Sequence, residues 1–189
     1  MAIYTALYDA CVLYPAPLRD LLMRLALEDL YLARWTDRIH DEWTRNVLAN
    51  RPDLKREQLL RTRELMNANV RDALVTGYEG LIEGLMLPDP DDRHVLAAAI
   101  RARADVIVTF NLTDFPTVIL QPYGIEAVHP DDFIVGQLDL NPSAVCRAVR
   151  MQRAALRNPP QLVVELLQTF ARQMLPQVAK RLGEFADLL

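Results

Sequence analysis

The stretch from residue 93 to residue 110 places the strongest constraint on how this chain can fold. It begins with RHVLAAAIRARA, an Ala-rich segment of high helix propensity, and continues into DVIVTF, a run dominated by β-branched residues. A strand without polar alternation is buried on both faces, which is typical of parallel sheets covered by helices. The stretch therefore predicts an α/β fold built around a parallel sheet.

The rest of the first two thirds of the chain alternates between strand and helix in the same way. The sequence predicts strands at 3–8, 30–35 and 125–128, and helices at 18–28, 37–49 and 55–72. Thr36 is the expected N-cap of the helix at 37–49. The segment 73–88 is ambiguous and favours one more short strand, and Pro88 and Pro90 exclude a helix that continues through them. Strands that alternate with helices favour a parallel sheet with right-handed crossovers.

Towards the C-terminus the pattern changes to helix alone, which sets the predicted domain boundary. Asn141 precedes a proline and is the expected N-cap of a helix that ends at Asn158 and the two prolines after it. Further apolar segments with helical spacing lie on both sides of Pro176. We therefore expect an α/β domain at residues 1–136 and a C-terminal helical extension at residues 137–189.

The net charge of −4 hides an asymmetry between these two parts. Residues 1–136 carry 21 Asp and Glu against 14 Lys and Arg, a net charge of −7, whereas residues 137–189 carry 4 against 7, a net charge of +3. The charge of the whole chain therefore gives no indication of nucleic-acid binding, while the basic C-terminal part leaves that function open.

The cysteines and the hydropathy pattern indicate the compartment. Cys11 and Cys146 lie far apart with no CxxC spacing, so the sequence predicts neither a disulfide framework nor a zinc knuckle. No uncharged apolar run approaches the ~18 residues of a membrane span, and the first residues lack the basic segment of a secretion signal. We expect a cytoplasmic protein with no membrane association.

Acidic residues stand where several of the predicted elements begin or end. Asp9 follows the first strand, Asp92 stands at a helix N-terminus, and Asn111 and Asp114 follow the DVIVTF strand. Glu42 comes from the helix after the second strand. Ligands bind outside the carboxyl ends of the strands in such sheets, because helix N-termini and loops converge there. We therefore expect these side chains to meet at one edge of the sheet.

A cluster of carboxylates needs a compensating cation. Two unpaired carboxylates ~4 Å apart repel each other by about 4 kcal/mol, even at an effective dielectric constant near 20. Oxygen ligands without His or Cys among them suit Mg²⁺ or Mn²⁺ better than zinc. The candidate acids therefore predict a divalent-metal site.

The segments that carry these residues resemble one protein family. They are YDACVLYP at 8–15, Glu42 within HDEWTRNVL, DPDDRHVLAAAIRARADVIVTFNLTDFP at 89–116, and the EAVHPDDF that follows. Together they look like the PIN-domain nucleases, particularly the bacterial PIN proteins of the VapC toxin kind. The resemblance covers about residues 2–135, and its third segment is the most specific.

The resemblance implies a Rossmann-like three-layer α/β/α fold and a metal-dependent RNA endonuclease, the toxin of a type II toxin–antitoxin pair. It also implies a cognate antitoxin, an RNA substrate and often a homodimer. Asp9, Glu42, Asp92 and Asp114 match the acidic constellation of the family, and Thr109 matches a hydroxyl position near it. With Mg²⁺ (or Mn²⁺) held by Asp9, Asp92 and Asp114, two roles are open to Glu42: a ligand through water, or a base that orients the attacking water.

Asn111 departs from the family pattern, because many relatives carry Asp at that position. Its carbonyl can bind a metal but adds no charge, so we expect a supporting residue. The alternative function is therefore a PIN-fold module that binds RNA or protein with weak or no catalysis. Receiver domains and aspartyl-phosphate phosphatases also place Asp after the first strand, but they need a Lys late in the domain, and this chain has none between Lys55 and Lys180.

A row of arginines marks the helical extension. Arg147, Arg150, Arg153 and Arg157 fall within an arc of about 120° on a helix by their spacing. Such a stripe is either a solvated face or a surface that follows RNA phosphates beside the metal site. The stripe is therefore a candidate RNA contact.

Several neighbours of the acids have structural interpretations instead. Asp91 or Asp92 is expected to cap the helix that follows Pro90, with Asp91 favoured, and Asp89 is expected to be a loop residue between prolines. His40 and His94 each lie two positions from a candidate acid, about 200° around the helix, so they are not expected to bind metal, although either could touch RNA. Cys11 has no neighbouring His that would make it a nucleophile.

The two tryptophans are expected in the core. Trp35 ends a predicted strand and Trp43 lies on the apolar face of the helix at 37–49. Lone tryptophans at such spacing pack against other side chains. Both are therefore predicted to be buried anchors.

Overall fold

The chain forms two compact units in a computed structural model that describes residues 4–189. Ile3, the first residue of the predicted first strand, lies outside the described residues. The first unit contains the described residues up to Tyr14 together with Tyr31–His129, and the second contains Pro15–Leu30 together with Pro130–Leu189. The units do not follow chain order, because the segment at 15–30 groups with the C-terminal helices. The expected boundary after residue 136 falls inside a helix.

Short strands alternate with helices in the first unit, and helices form the second. The strands are β1 (Thr5–Tyr8), β2 (Leu32–Arg34), β3 (Val106–Val108) and β4 (Glu126–Val128). The α-helices are α1 (Ala10–Leu13), α2 (Ala16–Leu27), α3 (Asp37–Asn50), α4 (Arg56–Asn69), α5 (Arg93–Ala102), α6 (Thr117–Leu120), α7 (Pro130–Leu140), α8 (Pro142–Ala155), α9 (Val163–Arg172) and α10 (Pro176–Gly183). Short 3₁₀ helices occur at Glu79–Gly84, Pro90–Asp92, Leu112–Asp114, Gln121–Tyr123 and Ala186–Leu188.

The strands form a parallel sheet in the order β2-β1-β3-β4. β1 is hydrogen-bonded on both sides, so that Leu7 pairs with Arg34 of β2 and with Ile107 of β3. Every residue of β1 and of β3 is buried, as the unbroken apolar run of DVIVTF predicted. The α/β class with a central parallel sheet is therefore confirmed, together with the helical C-terminal part.

The predicted cap at Thr36 is confirmed, whereas the predicted strand at 73–88 is wrong beyond a single bridge. Thr36 caps α3 by accepting the backbone N–H of Ile39 at 3.0 Å. In the segment 73–88, Leu74 forms one isolated bridge with Trp35, and the chain then turns at Gly77, whose φ is 73°. A glycine adopts this conformation without the steric cost that other residues meet, so the chain leaves the sheet at this point.

The two tryptophans are fully buried, as expected, and hydrogen bonds through His40 and Asn67 link them. Trp43 Nε1 donates to His40 Nδ1 at 3.0 Å, so the other imidazole nitrogen carries the proton. That Nε2 lies 3.1 Å from Asn67 Oδ1, which also accepts from Trp35 Nε1 at 2.7 Å. His40 is fully buried and burial lowers its pKa, so the expectation that it could touch RNA is wrong.

The second unit is a set of helices in which α8 packs against α2 and α7, and α10 packs against α7 and α9. Asn141 caps α8 by accepting the N–H of Ala144 at 3.1 Å, which confirms the predicted helix start. Among residues 4–189, no helix is both long enough and apolar enough to cross a membrane.

A buried carboxylate joins α7 to α10. Asp131, which is 3% exposed, accepts the N–H of Gln177 at 3.0 Å and of Val178 at 2.8 Å, at the N-terminus of α10. These N–H groups have no partner within their own helix, and the helix dipole favours a negative charge beside them. The carboxylate therefore satisfies two donors that have no partner within α10, one of them the buried N–H of Val178.

We expect Asp131→Ala to lower the free energy of unfolding by about 2 kcal/mol, because it removes charge-assisted hydrogen bonds to a helix N-terminus. The matched control is Asp132→Ala, because the exposed Asp132 binds the side chain of Gln177 at 2.6 Å. The control should lose less than about 0.5 kcal/mol. Urea unfolding followed by circular dichroism measures both, and equal losses in the two variants would contradict the assigned role.

Candidate metal and active site

A cavity of about 560 Å³ opens at the carboxyl ends of β1 and β3. Its walls come from residues 9–11, from α3, from the turn before α5 and from the loop after β3. The lining side chains are Asp9, Ala10, Cys11, Arg38, Asp41, Glu42, Arg45, Asn46, Asp91, Asp92 and Asn111. Of the predicted site residues, Asp9, Glu42, Asp92 and Asn111 therefore share one cavity.

Asp9 is the most firmly held of these acids. It is 5% exposed and stands at the N-cap of α1, where its Oδ1 accepts the N–H of Ala10 at 2.6 Å. Its Oδ2 accepts from Thr109 Oγ1 at 2.7 Å and from Cys11 Sγ at 3.1 Å. These donors fix both oxygens of the carboxylate before any ligand binds.

Thr109 links the ends of β1 and β3. Its fully buried hydroxyl donates to Asp9 and accepts the backbone N–H of Asn111 at 3.0 Å. The hydroxyl thus orients the Asp9 carboxylate and the loop that carries Asn111 at the same time. The structure thereby gives Thr109 a contact with Asp9, the first of the predicted acids.

Cys11 is not activated as a nucleophile. Burial raises the pKa of its thiol, and the nearby charge of Asp9 raises it further. Its sulfur also contacts the N–H of Phe110 at 3.3 Å and Thr109 Oγ1 at 3.4 Å. The side chain remains a neutral thiol, as expected from the absence of a neighbouring His in the sequence.

Asp92 stands at the N-cap position of α5, but its side chain makes no capping hydrogen bond. The prediction that Asp91 caps this helix is wrong, because Asp89 accepts the N–H of Asp91 at 2.8 Å and caps the preceding 3₁₀ turn. Asp89 is thus a capping residue rather than a plain loop residue. The carboxylate of Asp92 is left to face the cavity.

The charge of Asp92 is not neutralised by the protein. Burial raises the pKa of Asp92 to about 7, and the charges of Asp9, Asp89, Asp114 and Glu42 also raise it. Asp114 ends the 3₁₀ helix Leu112–Asp114 and is not among the described residues that line the cavity, yet its charge acts on Asp92. The described acids therefore form one region of negative potential.

Glu42 has two basic neighbours. Its Oε1 lies 3.4 Å from Arg38 Nε and 2.9 Å from Nε2 of His94, a side chain that is 1% exposed. The imidazole is within ion-pair distance but is not aligned as a hydrogen bond, so it is a close buried neighbour rather than a fixed donor. The prediction that His94 could touch RNA is wrong because it is buried.

Sequence reasoning missed the contact between His94 and Glu42. The helical projection correctly turned His94 away from Asp92 on its own helix, but it carried no information about α3. A buried His within an Ala-rich apolar face is the signal that could have suggested a tertiary partner.

The donor set fits a hard divalent cation. Within residues 4–189, no three His, Cys, Asp or Glu side chains already have the geometry of a metal-ligand group. Like charges drive carboxylates apart, and a cation among them removes that repulsion. The available oxygens belong to carboxylates and to the Asn111 amide, which are the ligands that Mg²⁺ and Mn²⁺ prefer.

The predicted arginine stripe is not a uniform free surface. Both Nε and Nη2 of Arg147 donate to the carboxylate of Glu28, and Nε lies 2.9 Å from Oε2. Arg153 donates to the backbone carbonyls of Leu189 at 3.2 Å and of Gln161 at 3.3 Å. Arg157 lies beyond the end of α8, so the helical spacing that placed it in the stripe does not apply to it. Arg150 is exposed on α8. The RNA contact of these four residues stays a prediction.

The Thr109 hydroxyl gives a stability prediction. Thr109→Val removes a buried donor and acceptor without changing side-chain shape, and it leaves Asp9 Oδ2 and the Asn111 N–H short of a partner. We expect a loss of about 1–2 kcal/mol in the free energy of unfolding, measured by urea titration. Thr109→Ser keeps the hydroxyl and should lose clearly less, so an equal loss in both variants would point to packing instead.

The raised pKa of Asp92 gives a pH prediction. The pKa of Asp92 is about 7 in the folded protein and 3.8 as the ordinary value, so the folded state binds the proton more tightly than the unfolded state. The ionised Asp92 carboxylate therefore lowers the free energy of unfolding of the metal-free protein as pH rises from about 4 to about 7. In EDTA at pH 8, Asp92→Asn should therefore raise the free energy of unfolding by about 1 kcal/mol, allowing for solvent screening. At pH 4 the gain should nearly vanish. Asp91→Asn is the exposed control, and a gain independent of pH would refute the assignment.

Comparisons with known proteins agree with this architecture. The PIN domain family matches residues 5–113, and the family described as the VapC50 C-terminal domain matches residues 130–184. A relative from Mycobacterium tuberculosis, named "Putative ribonuclease VapC50", is 45% identical over 109 residues. These residues are 58% of this chain and 63% of the relative, so the chain spans less than two thirds of the relative's length. No solved structure matches at a significant level. The chain belongs to the PIN-domain family.

Proposed function

We propose that this protein is a metal-dependent endoribonuclease that hydrolyses phosphodiester bonds in RNA. The observation that carries the proposal is the cavity where Asp9, Glu42 and Asp92, from distant parts of the chain, present carboxylates together with Asn111. Negative charge concentrated at one edge of a parallel sheet repels a phosphate unless a cation lies between them. The name of the relative, a ribonuclease, supports RNA as the substrate.

Asp9, Asp92 and Asp114 are the proposed ligands of Mg²⁺ or Mn²⁺, with Asn111 and Thr109 in support. When bound, the ion would supply charge stabilisation for the scissile phosphate and acidify a water molecule. Asp9 is already oriented by its donors and needs little rearrangement to bind. Asp92 has to lose its proton to become a ligand, so metal binding should strengthen as pH rises through about 7.

Glu42 is the proposed partner of the attacking water. As a base, its carboxylate would accept the proton of the water whose oxygen forms the new bond to phosphorus, while the bond from phosphorus to the leaving sugar oxygen breaks. As a ligand through water, it would instead position the same molecule. Arg38 and His94 limit where its Oε1 can lie, which serves either role.

The biological role that we propose is the toxin of a type II toxin–antitoxin pair. Three findings support this role: the match to the PIN domain family, the match to the VapC50 C-terminal domain family, and the relative named as a VapC50 ribonuclease. The proposed toxin role includes a cognate antitoxin as the protein partner, a cytoplasmic location and assembly as a homodimer. The expected absence of membrane association belongs to the same proposal.

A second candidate function rests on Asn111. The residue lines the cavity and is exposed, but it brings no negative charge where the PIN-family pattern that the sequence resembles has Asp. A PIN fold with weakened metal binding could serve as an RNA-binding or protein-interaction module without cleavage. The same assay decides between the two functions.

Purified protein should cleave a structured RNA in the presence of Mg²⁺ or Mn²⁺ and should stop when EDTA is added. We expect Asp9→Asn and Asp92→Asn to lower the cleavage rate by about 100-fold or more, because each removes a charged ligand from the proposed metal. Asp20→Asn is the control, since its carboxylate pairs with Arg24 on α2.

The readout is the cleavage of end-labelled RNA, with metal binding measured by calorimetry. Cleavage that persists in EDTA, or that survives equally in the site variants and the control, would overturn the nuclease function. RNA binding without any cleavage would support the non-catalytic module.

A further inference from the structure

A second cavity, of about 380 Å³, lies between α3 and α4 in the first unit. Its basic lining consists of Arg45, Arg56 and Arg63, and its apolar lining of Leu48, Leu59 and Leu60. We call it the α3–α4 groove. Its volume lies within the range of small-ligand pockets, and it is large enough for about one nucleotide.

The α3–α4 groove adjoins the carboxylate cavity. Asp41 and Arg45 line both of them. On α3, Arg45 follows Glu42 by three residues, about 4.5 Å along the helix axis on the same face. A chain-like ligand bound in the carboxylate cavity can therefore continue along α3 into the α3–α4 groove and remain in contact with the protein.

The two cavities have opposite charge. In the groove, Arg63 is held by Asp41, at 2.6 Å from its Nη1, and by Asp37, at 3.3 Å from its Nη2. Arg45 and Arg56 are exposed, and within the described residues neither guanidinium has an ion pair or a hydrogen bond. Two arginines with uncommitted donors thus stand next to a cluster of acids.

An anionic cavity beside a cationic groove suits a polyanion with a regular repeat. If one phosphodiester lies over a cation in the carboxylate cavity, a phosphate further along the chain meets Arg45 and Arg56, which bind phosphate oxygens through paired N–H groups. The leucines offer an apolar surface to a base, a contact that tolerates any sequence because every base has an apolar face.

We propose that the α3–α4 groove is a subsite for one nucleotide of single-stranded RNA, next to the phosphodiester bond that is cleaved. Arg45 and Arg56 bind its phosphate, and Leu48 and Leu60 contact its base. The inference rests on the proposed ribonuclease function, which it extends by assigning residues outside the carboxylate cavity to substrate binding. An acidic protein segment is the competing occupant, and it is less suited because the groove continues into the cavity where cleavage would occur.

The test measures RNA binding separately from cleavage. Fluorescence anisotropy with a labelled single-stranded RNA of about ten nucleotides, in EDTA and in the Asp92→Asn background, gives a Kd at several salt concentrations. Arg45→Ala and Arg56→Ala should each weaken binding about fivefold or more and reduce the slope of log K against log salt by about 0.7, the loss of one phosphate contact. Leu60→Ser should weaken binding with the slope unchanged.

Arg61→Ala is the matched control. Arg61 is an exposed arginine of α4 that pairs with Glu64 and does not line the groove. Its Kd and salt slope should stay at the parent values. Thermal unfolding of each variant checks the fold, which exposed arginines without ion pairs should leave intact.

The outcomes separate this inference from the proposed function. In the otherwise unaltered protein, Arg56→Ala should raise KM more than it lowers kcat. If the parent protein cleaves RNA but both arginine variants bind RNA like Arg61→Ala, the proposed ribonuclease function is supported and the proposed nucleotide subsite is overturned. A protein partner would then be the occupant of the groove. If no metal supports cleavage, the nuclease fails, while the loss of binding and of salt slope would still establish the groove as an RNA site.

Discussion

The pairing of β1 with β3 fixes the geometry on which the candidate site depends. Tyr8 pairs with Val108, and the ladder continues for one step, in which the N–H of Asp9 donates to the carbonyl of Val108 at 3.1 Å. That register places Asp9 beside Thr109, so two residues a hundred positions apart share a 2.7 Å hydrogen bond. A slip of one residue would turn every side chain of β3 to the opposite face and would break this contact.

Around that fixed point the protein accumulates negative charge instead of balancing it. Arg38 approaches Glu42 and Arg63 binds Asp41, but the charges of Asp9, Asp89, Asp114 and Glu42 add to burial in raising the pKa of Asp92. Ordinary surface acids are solvated or paired, so such a region lowers the stability of the ligand-free fold. Local arrangements that oppose stability are common where a protein binds a ligand, and the divalent cation that we propose would be such a ligand.

Much of the fold could be predicted because its signals are local. The helix and strand at 93–110 and the caps at Thr36 and Asn141 depend on neighbours within a few positions. The acids could be assigned to one edge because parallel strands end together. By contrast, a 3₁₀ turn capped by Asp89 precedes α5, so Asp91 does not cap that helix.

The rest could not be predicted because it depends on partners distant in sequence. A helical projection places Arg147 on a stripe, but Glu28 binds it from 119 positions away. The same projection turns His94 away from Asp92 without revealing Glu42. The group of arginines in the α3–α4 groove likewise forms only when the two helices pack, because Arg45 lies on α3 whereas Arg56 and Arg63 lie on α4.

The division of the chain into two units that do not follow chain order affects how the protein folds during synthesis and where it can be truncated. The helix α2 leaves the ribosome early, yet α8, against which it packs, follows more than a hundred residues later. Its buried leucines, among them Leu18, Leu21 and Leu25, have to wait for that partner, which raises the contact order of the second unit. A fragment that stops before Pro130 would hold the whole sheet and still carry an apolar helix deprived of its cover. The PIN-family match at residues 5–113 thus cuts across the two compact units, because α2 lies within the matched range but belongs to the second unit.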